Sequence, residues 1–554
     1  MALVAKSTST GGIGRAGAIM ASGTIVSRLL GFLSAILLAR TLGTVGSGAD
    51  AFALANQLPN NIYALIAGGV MTAVLVPQIV RATSNSDGGA AYINKIVTLG
   101  VVIFIALAAL ATLLAPLLVM LYAREGGGDA PGFSDADIAL ATALAYWCLP
   151  QVLFYALYSL FGEVLNARSV FGPFTWAPVL NNLVVITGLL IFGALFSGVD
   201  TSNALEWTSS MTALLGGGAT AGIALQALIL LVFWRKAGIH YRPDFAWRGV
   251  GLAATGKAAG WLFGMILIAQ VAGVVQANVA TLATSDGEAG LAILRFSWLL
   301  FMVPHSVITV SLATAYFTRM SGHASAGETD LLRTDVTTSV RRIGLMMVLA
   351  SAGLITLSIP FARLFGGDAD DVSAMALVMN AYAVGLVAFS LVFVIQRVYY
   401  SLGDTRTPFM FQLVHAAVFI ALALVVSGFT TDQIASSLAL SASIASWLQL
   451  VLALVLLRKK LGGLRLHTLV GRLLLFTIAA VLASAVGVAL LNALGGGDPS
   501  GFVMSAALGP LVALAAGAVS MSVVYFGVLR LTRNDDAAAI IDGGIRLLRK
   551  AFTR

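Results

Sequence analysis

Apolar segments of 20 or more residues recur along the whole chain, and they constrain its fold more than any other feature. A helix needs about 20 such residues to cross the roughly 30 Å hydrocarbon core of a bilayer. Only 10% of the 554 residues are charged, whereas a soluble domain carries about 25%. Membrane β-strands would instead alternate in polarity over segments of about ten residues. The sequence therefore predicts an all-α integral membrane protein.

Hydropathy divides the chain into about fourteen predicted transmembrane helices. We place these spans near residues 17–42, 50–81, 93–122, 136–167, 171–197, 211–234, 250–284, 289–320, 341–366, 372–402, 407–428, 432–458, 469–493 and 502–530.

Lysine and arginine alternate between the two sides of these spans. Loops on one side are basic and include Arg168, Arg406 and Lys459, whereas loops on the other read TSDGEAG or GGDADD. Because loops that stay in the cytoplasm keep positive charge, both termini are predicted to be cytoplasmic. The same pattern accounts for the net charge of +8 without a nucleic-acid partner.

An internal repeat indicates two similar halves. The segment FYALYSLFGEVLNARSVFGPF, from Phe154, aligns without gaps with FSLVFVIQRVYYSLGDTRTPF, from Phe389, at an offset of 235 residues. Parallel repeats are typical of transporters with two lobes around a central cavity. We predict a first lobe at 1–240 with spans 1–6, a second at 241–462 with spans 7–12, and two further spans at 463–534.

The tail at 535–554 mixes apolar and basic residues. This composition is typical of an amphipathic helix on the cytoplasmic leaflet. A solvated end is the alternative, because Gly543 and Gly544 weaken a helix.

Charged residues inside the spans are candidate site residues. Arg28 lies about halfway across the first span and Arg295 near the start of the eighth. An arginine at such a depth needs water or a partner, and its guanidinium matches phosphate oxygens. Lys257, Glu163 and Arg397 lie nearer the cytoplasmic ends, where long side chains also reach the interface. Glu163 aligns with Val398 in the repeat, so Glu163 and Arg397 are a candidate inner gate.

No catalytic or metal-binding pattern stands out. The five histidines lack metal-ligand spacing, Cys148 is the single cysteine, and no Walker motif is present. We expect a transporter that does not hydrolyse ATP, with no cofactor and no metal site.

Several motifs carry a resemblance to a known family. They are Ser27-Arg28-Leu29-Leu30-Gly31-Phe32, Ala49-Asp50-Ala51-Phe52, Leu58-Pro59-Asn60 and Asp404-Thr405-Arg406-Thr407-Pro408, and together they resemble the MurJ/MviN family. The family's fold has fourteen transmembrane helices and belongs to the multidrug/oligosaccharidyl-lipid/polysaccharide exporter superfamily. The resemblance implies a bacterial plasma-membrane protein of cell wall biogenesis that flips lipid II, the undecaprenyl-diphosphate-linked peptidoglycan precursor, from the inner to the outer leaflet.

The resemblance also implies roles for individual residues. Arg28 matches a cavity arginine that engages the substrate diphosphate, and Asp50, Pro59 and Asn60 match positions that line or shape the same region. Arg295 lies about one helical turn before the position of a second family arginine, and spans 13 and 14 match a groove for the polyprenyl tail. Membrane lipids and cell-wall synthesis or division proteins are the other expected partners, and the membrane potential, H⁺ or Na⁺ is the expected energy source.

Three alternatives to lipid II flipping remain open. A flippase for another polyprenyl-diphosphate-linked saccharide has the same needs for a cationic cavity. A multidrug or cation antiporter of the same superfamily would need buried carboxylates, which are scarce in these spans. A non-transporting scaffold for the cell-wall machinery would tolerate loss of the charge at Arg28.

Overall fold

The computed structural model describes the backbone of residues 10–70, 89–126, 131–168, 170–246, 256–464 and 466–552. Side chains are described throughout these ranges except at residues 10–19, 21, 66–70, 256–259, 285, 544–545 and 547–552. Contacts divide the chain into two compact units, which we call unit 1, Met1–Gln270, and unit 2, Val271–Arg554.

Unit 1 is built from helices, together with an isolated β-bridge between Glu125 and Phe133. Its helices are α1 Thr10–Leu42, α2 Ser47–Val70, α3 Ala90–Leu113, α4 Ala115–Tyr122, α5 Asp135–Cys148, α6 Gln151–Ala167, α7 Gly172–Leu195, α8 Ser209–Lys236 and α9 Gly256–Ala280, which continues into unit 2.

Local sequence explains where helices of unit 1 begin and break. Ser134 and Asp137 form a reciprocal capping box at the start of α5, in which the Asp137 carboxylate accepts from the Ser134 backbone N–H at 2.9 Å. Pro150 separates α5 from α6, since proline has no N–H for the helical ladder. The two helices still form one apolar segment long enough to cross a membrane.

The core of unit 1 forms around α6 and α8. Helix α6 packs against α2, α3 and α8, and α7 packs against α1 and α8. The indole of Trp234 donates to the carbonyl oxygen of Phe161 at 3.2 Å, and their rings meet edge to face at 4.9 Å. Satisfying the indole N–H inside an apolar core avoids the cost of an unpaired buried donor.

Unit 2 is also helical over the residues described. Its helices are α10 Leu291–Pro304, α11 Val310–Ser325, α12 Thr329–Thr356, α13 Ser358–Phe365, α14 Ala369–Ser401, α15 Arg406–Val426, α16 Thr431–Lys460, α17 Leu466–Ala493, α18 Phe502–Ser505, α19 Gly509–Leu531 and α20 Asp535–Phe552. A π-helical turn, His305–Thr309, joins α10 to α11 directly after Pro304.

Helix α14 is the centre of unit 2. It packs against α10, α11, α12, α13 and α16. Of an apolar stretch of 18 residues in α14, 72% is buried, whereas the corresponding share in α1 is 11%. Helices α17 and α19 pack on each other and on α12. The hydroxyl of Tyr525 in α19 donates to the carbonyl oxygen of Leu345 in α12 at 2.7 Å. The last two spans are therefore attached to unit 2 through α12.

The prediction of an all-α, multi-pass membrane protein is confirmed. Among the described residues, 13 helices are long and apolar enough to cross a membrane, and each corresponds to one predicted span. The other predicted span, 50–81, coincides with α2 and extends past the described residues. The predicted ninth span, 341–366, is in fact preceded by a polar extension that begins α12 at Thr329. Hydropathy detects only the apolar part of such a helix.

The helix boundaries also follow the predicted repeat. Helix α6 ends at Ala167 and α7 begins at Gly172, while α14 ends at Ser401 and α15 begins at Arg406, so both boundaries repeat after 234 residues. The contact-based division at Gln270 falls within α9 rather than near residue 240. The predicted lobes at 1–240 and 241–462 stay a prediction.

Candidate functional site

A stripe of small residues on α1 faces α7. A Cβ atom added at Gly23 would lie 2.7 Å from Cδ1 of Trp176, and one added at Gly31 would lie 3.6 Å from Nδ2 of Asn182. Between them, the Nδ2 of Asn182 donates to the carbonyl oxygen of Ser27 at 2.8 Å. These three α1 positions are four residues apart, so they share one helix face and let the two helices approach closely.

We call the contact of Gly23, Ser27 and Gly31 with α7 the seam, and this seam sets the direction of the Arg28 side chain. It follows Ser27 by one residue, which rotates its side chain by about 100° around α1, away from the α7 face. The side chain is exposed. Arg28 precedes Leu42, the last residue of α1, by about 21 Å of helix, well inside the roughly 30 Å thickness of a hydrocarbon core. An exposed guanidinium at this depth is tolerated where water or a polar partner meets it.

Asn60 lies about as far from the start of α2 as Arg28 lies from the end of α1. It is about 20 Å from Ser47, the first residue of α2, and its side chain is exposed. Asp50 is different, because it lies in the first turn of α2 and is completely buried. A carboxylate in a first turn stabilises the positive end of the helix dipole. The structure thus places Asn60, but not Asp50, at the depth of Arg28.

Glu163 lies on α6 and is half-buried. Its carboxylate interacts electrostatically with the phenol of Tyr63 in α2. The ring centres of Tyr63 and Tyr155 lie 5.8 Å apart. The surroundings of Glu163 within unit 1 are therefore aromatic and partly polar. Its pairing with Arg397, which belongs to unit 2, stays a prediction.

Arg397 lies between two aromatic rings in unit 2. Its guanidinium is 4.8 Å from the ring centre of Phe393, one turn earlier on α14, and 5.6 Å from that of Phe317 on α11. The side chain is half-buried. Two cation–π contacts stabilise a guanidinium that has left bulk water.

Arg295 is half-buried near the start of α10. It precedes Phe317, which contacts Arg397, by about 33 Å along the α10–α11 segment. Arg295 therefore lies near one end of the α10–α11 segment, and Arg397, which is on α14, lies beside the other half of that segment. Lys257, in the first turn of α9, has a side chain outside the described residues.

Sequence reasoning missed a polar network inside unit 1. The Nε2 of Gln151, in α6, donates to the Thr220 hydroxyl at 3.0 Å and to Oδ1 of Asn56 at 3.3 Å. The Thr220 hydroxyl in turn donates to the carbonyl oxygen of Trp147 at 2.6 Å. Polar residues within apolar spans were the available signal, but their pairing across three helices needs the fold. The same applies to Asn182, which fixes α1 beside Arg28.

Outside the spans, Asp404 anchors the turn between α14 and α15. Its carboxylate accepts from the Thr407 backbone N–H at 3.0 Å and from its hydroxyl at 2.9 Å, and lies 2.9 Å from Nζ of Lys460. Burial acts to raise the pKa of Asp404, but the Thr407 and Lys460 contacts outweigh it, so the pKa is below its usual value. This group stabilises a turn within the repeated motif.

Nearby, a cavity of about 130 Å³ opens beside Lys460. It is lined by His323, Ala324, Gly327, Thr329, Leu332, Leu402, Lys460 and Leu461. Pockets for drug-sized ligands measure about 300–1,000 Å³. This cavity is therefore too small for a lipid-linked saccharide. No group of three or more potential metal ligands occurs in the part of the chain that the structure describes.

Solved structures share this fold. A structure described as "Lipid II flippase MurJ, inward closed conformation" matches with a TM-score of 0.68 at 18% identity, over 92% of this chain and 99% of that one. A transporter of the MOP superfamily from Pyrococcus furiosus matches with a TM-score of 0.53 at 12% identity, over 81% and 95%. The likeness places the chain in the fold shared by these transporters.

Curated relatives agree with the structural match. Proteins named "Probable lipid II flippase MurJ" are 26% identical in Haemophilus influenzae, over 77% of this chain and 83% of theirs, and 27% identical in Rickettsia prowazekii, over 72% and 75%. One from Rhizobium meliloti is 26% identical over 88% and 87%.

The profile of one protein family matches most of the sequence. This family is described as "Lipid II flippase MurJ", and the match covers residues 38–512. The predicted resemblance to this family is thereby confirmed. By its sequence, its fold and its relatives, the chain belongs to the lipid II flippase MurJ family.

Proposed function

We propose that this protein flips lipid II from the inner to the outer leaflet of the bacterial plasma membrane by alternating access. The chain is a transporter and not an enzyme, as its family shows. The names of the relatives indicate the substrate, and the exposed guanidinium of Arg28 supports the proposal.

The observation that carries the proposal is the exposed guanidinium of Arg28, within the apolar span of α1 and about 21 Å from its end at Leu42. A diphosphate must cross the hydrocarbon while its polyprenyl tail stays in lipid. Guanidinium presents several N–H donors in a planar fork, and hydrogen bonds between charged groups are roughly twice as strong as neutral ones. The seam of Gly23, Ser27 and Gly31 holds α1 so that Arg28 faces away from α7. In the proposed cycle, Arg28 binds the diphosphate first from the inner side and then releases it outside.

The membrane potential is the proposed energy source. Moving a negative charge outward across an inside-negative membrane is favourable by about 2.3 kcal/mol per charge per 100 mV. A return step with bound H⁺ or Na⁺ is compatible with this scheme. Contact with cell-wall synthesis or division proteins remains a prediction.

The proposed orientation has both termini in the cytoplasm. Helix α8 ends with Arg235 and Lys236, and α16 ends with Arg458, Lys459 and Lys460. At the other ends of these helices, Asp200 lies in the loop before α8 and Asp432 in the first turn of α16. Retention of positive charge in the cytoplasm supports this orientation.

Helices α17 and α19 are the proposed contact for the polyprenyl tail. Their sides turned away from α12 expose large apolar side chains, including Ile478 and Val481 on α17 and Val519 and Val523 on α19. An isoprenoid chain needs an apolar surface of this kind.

Depletion and complementation test the proposal. After depletion of the protein, wild type, Arg28→Ala, Arg28→Lys or Leu29→Ala is supplied, and lipid II accessible on the outer leaflet is measured. Leu29 is the matched control, because it is the exposed neighbour on the same helix. We expect loss with Arg28→Ala, partial activity with Arg28→Lys and full activity with Leu29→Ala. Undiminished exposure of lipid II on depletion would refute the flippase function.

A second candidate is multidrug export, favoured by fold alone. A structure described as "Crystal structure of MATE in complex with MaL6" matches with a TM-score of 0.52 at 14% identity. An exporter of organic cations would be sensitive to loss of a carboxylate such as Asp50 and insensitive to Arg28→Ala. Export of organic cations in the same strains separates the two candidates.

A further inference from the structure

Helix α20, the last helix, is fixed to unit 2 through its first turn. Asp536 is buried, and the fork of Arg341 in α12 lies 2.8 Å (Nη2) and 2.7 Å (Nε) from its two carboxylate oxygens. The buried Asn534 caps the helix by accepting from the Ala537 N–H at 3.1 Å. This ion pair, with its one hydrogen bond from Nη2 of Arg341, holds the helix end at a defined place.

Beyond this first turn, the described side chains become more exposed. Ala537 is buried, whereas Ile540 and Ile541 are only half-buried and Asp542 is exposed. A helix that leaves two neighbouring isoleucines partly uncovered lacks a protein partner sufficient to bury its apolar face.

The sequence of the rest of α20 separates into two arcs. At 100° per residue, the apolar residues fall within an arc of about 160° and the polar ones within the remainder. The apolar arc contains Ile540, Ile541, Ile545, Leu547, Leu548 and Phe552, and the polar arc contains Asp542, Arg546, Arg549 and Lys550. The polar arc is thus basic.

The position of α20 relative to the last span identifies its partner as lipid. Helix α19, an apolar span, ends at Leu531, and α20 begins at Asp535, so it starts at the membrane surface. A helix with one apolar and one basic arc at this level lies in the interface, with the basic arc at the lipid headgroups. Each basic residue strengthens binding to an anionic leaflet by about fivefold.

We propose that α20 binds the anionic phospholipid surface beside unit 2, with the Asp536–Arg341 pair setting where it lies. This interaction is separate from lipid II flipping. Which leaflet it binds depends on the proposed orientation, but binding itself does not.

The test uses the full-length chain in nanodiscs, where both membrane faces are accessible. Cys148→Ser removes the native cysteine, and Leu548→Cys in the apolar arc carries an environment-sensitive fluorophore. Discs of phosphatidylcholine are compared with discs that also contain phosphatidylglycerol, and a lipid-soluble quencher reports insertion. We expect strong quenching only with phosphatidylglycerol. The variant Arg549→Gln/Lys550→Gln should weaken binding by roughly 30-fold, from about fivefold for each charge.

The control variant removes the same number of charges elsewhere. Arg458→Gln/Lys459→Gln, at the exposed end of α16, should leave the quenching unchanged. Hydrogen–deuterium exchange of residues 540–552 in the unlabelled wild type is a second measurement, and it avoids the Cys148 substitution. Equal exchange in both lipids, equal quenching in both lipids, or an equal effect of the two double variants would overturn the proposal. None of these readouts depends on lipid II transport.

Discussion

Arg28 in unit 1 and Arg397 in unit 2 are both arginines inside membrane-spanning helices, but their surroundings differ. Arg397 is half-buried between the rings of Phe393 and Phe317, at 4.8 and 5.6 Å. Arg28 is exposed, and the small residues beside it pack against α7. One guanidinium is half-buried against aromatic rings, and the other is exposed.

The comparison shows that an arginine within a span does not by itself indicate a binding site. At either position, placing a charge within the hydrocarbon costs free energy. In unit 2, aromatic faces offset that cost, so the residue contributes to packing. In unit 1, the side chain of Arg28 is exposed, so a ligand can reach it. The expected difference is that Arg28 affects binding and Arg397 affects stability.

The largest expected effect is on substrate binding. In purified protein, Arg28→Ala should weaken binding of lipid II by about 10- to 100-fold, because a hydrogen bond to a charged group contributes about 1.5–3 kcal/mol. Arg28→Lys should keep the charge but lose the planar fork. Binding of fluorescent lipid II measures both. Arg397→Lys is the comparison variant, and an equal loss in it would remove the distinction between the two arginines.

The next effect concerns the seam that places Arg28. Gly23→Ala adds a Cβ atom 2.7 Å from Trp176 Cδ1 and 3.1 Å from the Thr175 carbonyl oxygen. We expect a loss of about 1–3 kcal/mol in stability, as for other overpacked contacts, together with weaker lipid II binding. Thermal unfolding in detergent measures the first.

Gly31→Ala is the matched control on the same face. Its added Cβ would lie 3.6 Å from Asn182, an ordinary contact, and alanine is the better helix former. It should leave stability unchanged or slightly higher. Equal destabilisation by both variants would mean that the α1–α7 contact does not set the direction of Arg28.

Hydropathy and charge predicted most of the fold, because each span must satisfy its own backbone hydrogen bonds within lipid. The repeat around Phe154 and Phe389 even located matching helix boundaries to within one residue. The polar extension of α12 was missed, since a helix beyond the lipid needs no apolar run.

The site was less predictable than the fold. Arg28 and Arg397 differ only in neighbours supplied by other helices, such as Asn182 and Phe317, which are distant in sequence. Asp50 and Asn60 lie in adjacent motifs, but α2 buries one and exposes the other. Depth along a helix is readable from the sequence, whereas the direction of a side chain depends on packing.

A smaller effect is expected at Arg397 itself. Arg397→Leu should lower stability by about 1–2 kcal/mol through loss of two cation–π contacts, and Phe393→Leu should lower it by a similar amount. The double variant should lose less than the sum of both, because the residues interact. Thermal unfolding of the three variants measures this coupling. If the losses were additive, the contact between Arg397 and Phe393 would not stabilise the protein.

The smallest effect concerns a cation that is paired outside the membrane. The pKa of Asp404 is below its usual value of about 3.9, so its ionised form stabilises the fold above that pH. This contribution disappears as the pH falls through the lower pKa of the folded state. Asp404→Asn should therefore lower stability near neutral pH by up to about 1 kcal/mol, discounted because Lys460 is half-exposed.

Below about pH 4 the wild type should converge on the Asp404→Asn variant. Lys460→Gln should reproduce part of the neutral-pH loss, because Lys460 Nζ lies 2.9 Å from the carboxylate. Lys459→Gln removes the neighbouring exposed charge and should have no effect. Unfolding temperature as a function of pH distinguishes these outcomes. If the Asp404→Asn difference were independent of pH, the ionised carboxylate and its contact with Lys460 would not stabilise the turn.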